Sequence, residues 1–270
     1  MPRIVTLTSD FGVEDHYVSV MKAVVLEKAP LNTRLVDISH AIPPNDIMAG
    51  AWVVREAARY FPEDTIHVVV VDPGVGTDRD PVLIRSHNQW FIGPDNGLFS
   101  LISQDAGYEA WRLNNPRYWL EELSSTFHGR DLFAPVAAHL ASGVAPNKLG
   151  SPDHTLMTWR WPEPILDKDG VRGWIAHIDH FGNLITNIPS VVRKEFPSDP
   201  NTRIKIYVGN TILEKIDSTF GDVESGEAVM FPGSSNMLEI AVNKGNASEL
   251  LGVPKGSEVT IVFQKSSIDS

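Results

Sequence analysis

The chain has 270 residues, 42% of them hydrophobic, with a net charge of −11 and no cysteine. That describes a globular protein with a sizeable core in one or two domains, and it excludes disulfides, thiolate metal sites, iron–sulfur clusters and cysteine nucleophiles. No basic surplus exists to neutralise phosphates, so a nucleic-acid partner is not expected, and no apolar run approaches the roughly 20 residues of a membrane helix.

Residues 1–12 read as a strand entering a loop rather than a signal peptide, and the absence of cysteine suits a cytoplasmic protein. The first strand, residues 3–9, ends at Asp10-Phe-Gly12. A helix is predicted from about Asp15 to Lys28, with Tyr17, Val20, Met21, Val24 and Val25 on one face. Arg34–Ile38 is a second strand, and Asp46 is placed to cap a helix running to about Tyr60. The run Val68–Val71 is apolar throughout, as only a strand covered on both faces tolerates. Strand, helix, strand, helix, strand is the pattern of a parallel sheet. Pro81–Arg85 and Gln89–Ile92 resemble a hairpin. A helix from Leu98 to Gln104, a strand from Ala110 to Leu113 and an apolar helix from Leu132 to Leu140 follow, the last with Pro135 in its first turn.

The pattern changes near Trp159. Beyond a Trp- and Pro-containing connector (159–164), short strands are predicted at 172–179, 183–188, 203–208, 227–232, 237–243 and 257–263, with one brief helix at Ala247–Leu251. Such spacing predicts a small β-barrel or sandwich. The expected organisation is therefore a Rossmann-like α/β domain over 1–158, with a mostly parallel sheet, and an all-β barrel domain over 165–270.

Three acids, Asp10, Asp37 and Asp72, end apparent strands of the first domain, where ligands of open α/β sheets bind. Pro73, Gly74 and Gly76 turn the chain sharply after Asp72, and Arg79 returns a guanidinium seven residues later. A carboxylate placed like Asp10 can accept both hydrogens of a ribose diol, or it can simply stabilise a turn. In Thr126-Phe-His-Gly-Arg-Asp131, His128 precedes a helix and could orient a water or take its proton; equally, it could only bond the backbone. His67, His87, His139, His154 and His177 read as structural. No His-x-x-x-His or His-x-Asp pair supports a metal site. Asp179, Phe181 and Asn183 lie in a tight turn that could hold a purine edge with Phe181 stacked on it, or be no more than a hairpin. Ser234 sits in the loop Gly233-Ser-Ser-Asn236, and Glu239 is an unexpected acid within the strand that follows.

Thr8-Ser-Asp-Phe-Gly12, Val71-Asp-Pro-Gly-Val-Gly76 with Arg79, Gly93-Pro-Asp-Asn-Gly97, Thr126–Asp131, Ile178–Asn187 and Leu238–Asn243 occur in that order. Together they resemble the S-adenosyl-L-methionine (SAM) hydroxide adenosyltransferases, or SAM hydrolases, relatives of fluorinase and chlorinase. The resemblance covers essentially the whole chain. It implies an α/β domain joined to a β-barrel, a homotrimer with its site at the subunit interface, and cleavage of SAM to adenosine and methionine without metal or organic cofactor. Asp72, Arg79 and His128 would activate water or hydroxide. Asp10 would hold the ribose, Asp179, Phe181 and Asn183 the adenine side, and Ser234 and Glu239 would contribute from the barrel. The Gly233–Asn236 loop departs from the expected Asn-Ser-aromatic-Gly pattern. Where fluorinase has tyrosine in the strand-end loop this chain has Asp72, and where it has a halide-holding serine this chain has Gly129, after His128 in place of tyrosine. Those departures favour hydrolysis. The alternatives are a SAM-dependent halogenase and a non-catalytic SAM- or adenosine-binding protein.

Overall fold

The computed structural model describes residues 3–105, 107–196 and 202–265. The chain divides into two compact units, Met1–Trp161 and Pro162–Ser270. In the first, the order is β1 (Ile4–Ser9), α1 (Tyr17–Lys28), β2 (Arg34–Ser39), α2 (Ile47–Ala58), β3 (Ile66–Val70), β4 (Pro81–Ser86), β5 (Gln89–Pro94), α3 (Ser100–Asp105) and β6 (Glu109–Arg112). A π-helical turn (Gly129–Phe133), α4 (Ala134–Ala141) and α5 (Pro146–Leu149) complete it.

The sheet order is β2-β1-β3-β5-β4-β6. The strands β2, β1, β3 and β5 run parallel, while β4 is antiparallel to both its neighbours. Side chains alternate across a strand, so the valine run serves two cores. Val68 and Val70 pack on one face with Met21, Val24 and Val25 of α1 and with Ala137 of α4. Val69 and Val71 pack on the other with Ala49 and Val54 of α2. The two crossover helices thus lie on opposite faces, and the chain leaves β1 first toward β2 and then back past it to β3. That reversal is a topological switch point, and it opens a crevice at the carboxyl ends of β1 and β3.

Local signals hold where they are strong. Asp46 caps α2 by accepting from Ala49 N at 2.9 Å, and Pro135 occupies the first turn of α4. The helix expected from Leu132 instead begins with the wider π turn at Gly129, and the short α5 and a 3-10 turn at Pro116–Tyr118 were not anticipated. The connector is less loose than its composition suggests. Trp159 N donates to Ser100 Oγ at 2.8 Å, and Trp161 stacks on Trp52 at 5.9 Å.

The second unit contains β7 (Ile165–Asp167), β8 (Gly170–Ile178), β9 (Leu184–Pro189), β10 (Thr202–Val208), β11 (Thr211–Leu213), β12 (Ala228–Pro232), β13 (Met237–Val242), α6 (Ala247–Leu251) and β14 (Glu258–Lys265). All its pairings are antiparallel, in the order β11-β10-β14-β8-β9-β13-β12, with β7 added on β8. The long β8 pairs with β14 through its first half and with β9 through its second, so the sheet curls around Val171, Ile175, Leu184, Ile240 and Ile261. Asp217 N donates to Met230 O at 2.8 Å near the remaining seam, making the sheet barrel-like. The three-residue strands β7 and β11 are too short to show a period in the sequence.

His67 lies fully buried in β3, with Nδ1 paired to Thr6 Oγ1 at 2.8 Å and its ring stacked on Phe91 at 4.9 Å. The nearby Gln89 amide is given to the carbonyls of Ala58, Phe61 and Pro62. Burial lowers the His67 pKa from 6.5 to about 4, against a partial opposing effect of Gln89. The unfolded chain therefore binds a proton below pH 6.5 that the folded chain refuses. The stability tied to a neutral His67 is complete above pH 6.5 and declines as pH falls toward 4, by about 1.4 kcal/mol per unit. Urea unfolding between pH 4.5 and 7 should show a steeper loss for wild type than for His67→Gln; equal slopes would refute the assignment.

Candidate active site

Two loops meet at the crevice. The first leaves β3, where the register Ser9↔Val70 sets Asp72 just beyond the level of Asp10 on the adjacent β1. Hydrogen bonds from Val75 N to Asp72 O (3.2 Å) and from Thr77 N to Gly74 O (3.1 Å) curl the chain so that Arg79 returns over Asp72. Arg79 Nε donates to Asp72 Oδ1 and Oδ2 at 3.0 Å each, and Nη2 also donates to Oδ2. The side chains are only 5% and 8% exposed, and the guanidinium lies 5.4 Å from the centroid of the Phe133 ring.

The second loop brings His128 to the same guanidinium, with Arg79 Nη2 donating to His128 Nδ1 at 2.7 Å. Arginine has no acceptor, so Nδ1 carries a lone pair and the neutral ring carries its proton on Nε2. Burial lowers the His128 pKa, and the Arg79 charge lowers it further; Asp72, Asp131 and the Ser124 backbone oppose the shift. A neutral imidazole is thus what the surroundings favour. Gly76 makes the approach of the loops possible. It has φ +77°, and a Cβ there would fall 2.4 Å from Ser125 O. Gly129 is similarly confined, since a Cβ would meet Met21 Sδ at 3.0 Å and Phe127 at 3.3 Å.

Asp10 Oδ2 accepts from Asn45 N at 2.8 Å, its one hydrogen bond among the described residues. Asp37 is engaged otherwise. Lys22 Nζ donates to it at 2.5 Å and His40 Nε2 lies 3.1 Å away; although burial raises its pKa, these partners leave it lowered overall. The Gly93–Gly97 turn braces the same end of the sheet. Asn96 Nδ2 donates to Val71 O at 2.9 Å, and Asp95 accepts from Met157 N at 2.9 Å and pairs with His154 at 2.7 Å.

In the second unit, Asp179 is committed to its turn. Its Oδ1 accepts from Phe181 N (2.9 Å) and Asn183 N (2.8 Å), and its Oδ2 from Asn183 Nδ2 (2.8 Å). Gly182, at φ +83°, lies so close to Asn246 that a Cβ would overlap it. This rigid turn presents Phe181 with 74% of its surface exposed. Phe181 and Asn183 line a cavity of about 490 Å³ with Phe220, Asn243 and Asn246. Glu239 is buried against the Gly233 backbone and accepts from Ser235 Oγ at 3.3 Å, while Ser234 is exposed.

Three residues escaped the sequence reading. Phe220 sits in a segment without periodicity. Ser235 could have been suspected as a donor for the acid inside β13. Asp131, whose carboxylate is 0% exposed, stands in the His128 motif, but nothing local marks it as buried.

Among the described residues, no helix is long and apolar enough to cross a membrane, and no group of three or more histidines and acids could hold a metal. Residues 5–150 match the SAM hydroxide adenosyltransferase N-terminal domain, and residues 173–260 the corresponding C-terminal domain. The chain is 39% identical to an (R)-S-adenosyl-L-methionine hydrolase of Thermus thermophilus, over 96% of this chain and all of that one. It is 28% identical to a fluorinase of Nocardia brasiliensis, over 96% of each. A crystal structure of an uncharacterized conserved protein from Thermotoga maritima superposes with a TM-score of 0.88 at 35% identity, covering 96% of this chain and 99% of that one. With both domains matched in order along the chain, the protein belongs to the SAM hydroxide adenosyltransferase family.

Proposed function

We propose that the protein hydrolyses SAM to adenosine and L-methionine, and that the (R) sulfonium named for its relatives is the epimer it takes. Water attacks ribose C5′, the C5′–S bond breaks, the electron pair leaves on neutral methionine sulfur, and one proton is released. A thioether leaves without help from an acid, so the protein's task is to provide and aim the nucleophile. The observation that carries this reading is the Asp72–Arg79–His128 group at the crevice.

Arg79 spends Nε and Nη2 on Asp72 and His128, which leaves the Nη1 hydrogens as donors to a water or nascent hydroxide, while the ring N–H of His128 is shared with the Ser124 backbone. His128 Nδ1 can take a proton only by giving up Arg79. Among the described residues Asp72 Oδ1 accepts only from Nε, and we assign it the role of orienting the water and receiving its proton. Asp10 has acceptor capacity for the ribose diol, and Phe181 and Asn183 suit an adenine. Ser234 and Glu239 we assign, as the resemblance implies, to substrate contacts made by the barrel domain of a neighbouring subunit, Glu239 through the turn it supports. No cofactor enters this chemistry. The homotrimer and the cytoplasmic location suggested by the resemblance and by the lack of cysteine belong to the same proposal.

Halogenation is disfavoured by charge: Arg79 is matched by Asp72, so it offers no surplus positive charge to a halide. Incubation with each SAM epimer should give adenosine and methionine in equal amounts, unchanged by chelator or added chloride. A 5′-halogenated nucleoside as sole product would overturn the proposal.

Asp72→Ala, Arg79→Ala and His128→Ala should each lower kcat by about 10²–10⁴ while adenosine binding by calorimetry persists. Arg79→Ala also strands a buried carboxylate, so its rate must be read per folded site. Wild-type kcat in all three would remove the mechanism. Because the working imidazole is neutral and its pKa is held below 6.5, kcat should stay level as pH falls through 6.5 and decline only at lower pH. A decline centred at or above pH 6.5 would contradict this.

A further inference from the structure

Asp131 is fully buried three residues after His128, and the chemistry above does not use it. Its carboxylate accepts from Ser124 N at 2.8 Å and from Arg130 Nε at 2.5 Å, with Arg130 Nη2 at 3.1 Å. Its own carbonyl accepts from Leu120 N at 2.8 Å, and its amide donates to Phe127 O at 3.1 Å. Ser124 passes the constraint on, because its Oγ accepts from Thr126 N at 3.1 Å and Phe127 N at 3.2 Å. The segment 120–127 is therefore tied at three points to one side chain and its backbone, and His128 is the next residue. A buried carboxylate held by charge-assisted hydrogen bonds is a costly feature that a plain loop does not need.

We propose that Asp131 is a positioning residue for the reaction: through Ser124 and Phe127 it fixes the His128 ring in the orientation that presents Nδ1 to Arg79. The inference rests on the hydrolase reading. The charged groups facing His128 are Asp72 and Arg79 from the loop after β3, and Asp131 from the π turn, with Arg130 neutralising Asp131 on the solvent side. Asp131 thus also biases the ring electrostatically toward its charged form, in opposition to Arg79.

Asp131→Asn keeps the shape and removes the charge. With a loosened ring, kcat should fall about 10- to 100-fold while KM for SAM changes by no more than about threefold. The acid limb of the kcat profile should move to lower pH, because the carboxylate that raised the His128 pKa is gone. In a His128→Asn background the same substitution should cost nothing further. A folded Asp131→Asn protein with wild-type kcat and an unmoved acid limb overturns the proposal, as does full additivity with His128→Asn. Should Asp131→Asn fail to fold, ¹⁵N spectra of the wild-type His128 ring decide. A single Nε2–H tautomer supports fixation, and two exchanging tautomers refute it. Wild-type protein that fails to cleave either SAM epimer refutes the hydrolase reading instead.

Discussion

The site depends on one ion pair, Asp72 with Arg79, made seven residues apart by a loop that folds back on itself. Two nearly buried charges are costly to desolvate and are retained only when geometry and further hydrogen bonds compensate. Here the guanidinium meets both carboxylate oxygens, lies against Phe133 and gives a remaining N–H to His128. Breaking such a pair by removing one partner typically costs about 3–5 kcal/mol. The loop is thereby held without secondary structure of its own, at the point where the reversal of strand order opens the sheet.

The same pair sets the state of the histidine. A guanidinium at Nδ1 forbids a proton there, and burial disfavours charge on the ring. His128 is therefore held as a neutral donor, not poised as a base. Its companion loop can approach only because Gly76 has no side chain to strike Ser125, and because Asp131 gathers residues 120, 124 and 127 beneath it. The aromatic contacts of Phe127 with Phe11 and Tyr17 extend that support to α1 and the end of β1.

How much of this could be read from sequence follows from the range of each interaction. The buried valine run Val68–Val71, the cap at Asp46 and the helix Ala247–Leu251 are written in adjacent residues, and the structure has them, with β3 ending at Val70. Asp72 and Arg79 could be paired by eye because a proline- and glycine-rich turn separates them. Joining His128 to them took the resemblance, since it lies 49 positions beyond Arg79 and no local pattern spans that gap. The burial of Asp131 was illegible for the same reason: it depends on Ser124 arriving from a loop with no period. Asp179 shows the opposite limit. Its turn was recognised, but only geometry shows that both oxygens already accept hydrogen bonds within that turn.

The three acids read as strand ends of the first unit are distinguished by their partners, Asp37 lying within β2 opposite Leu7. Asp37 is answered by two side chains, Lys22 and His40, which tie it to α1 and to the loop after β2. Asp72 is answered by Arg79, so it can orient a neutral water without presenting a bare charge. Asp10 has one backbone amide, from Asn45. A carboxylate offers about four acceptor positions, so most of the capacity of Asp10 is uncommitted. A vicinal diol supplies two hydroxyl donors side by side, which is the spacing two carboxylate oxygens accept. Of three acids that look alike in the sequence, Asp10 keeps the capacity that the proposed reading assigns to the sugar, and Asp72 is the one that reading assigns to water.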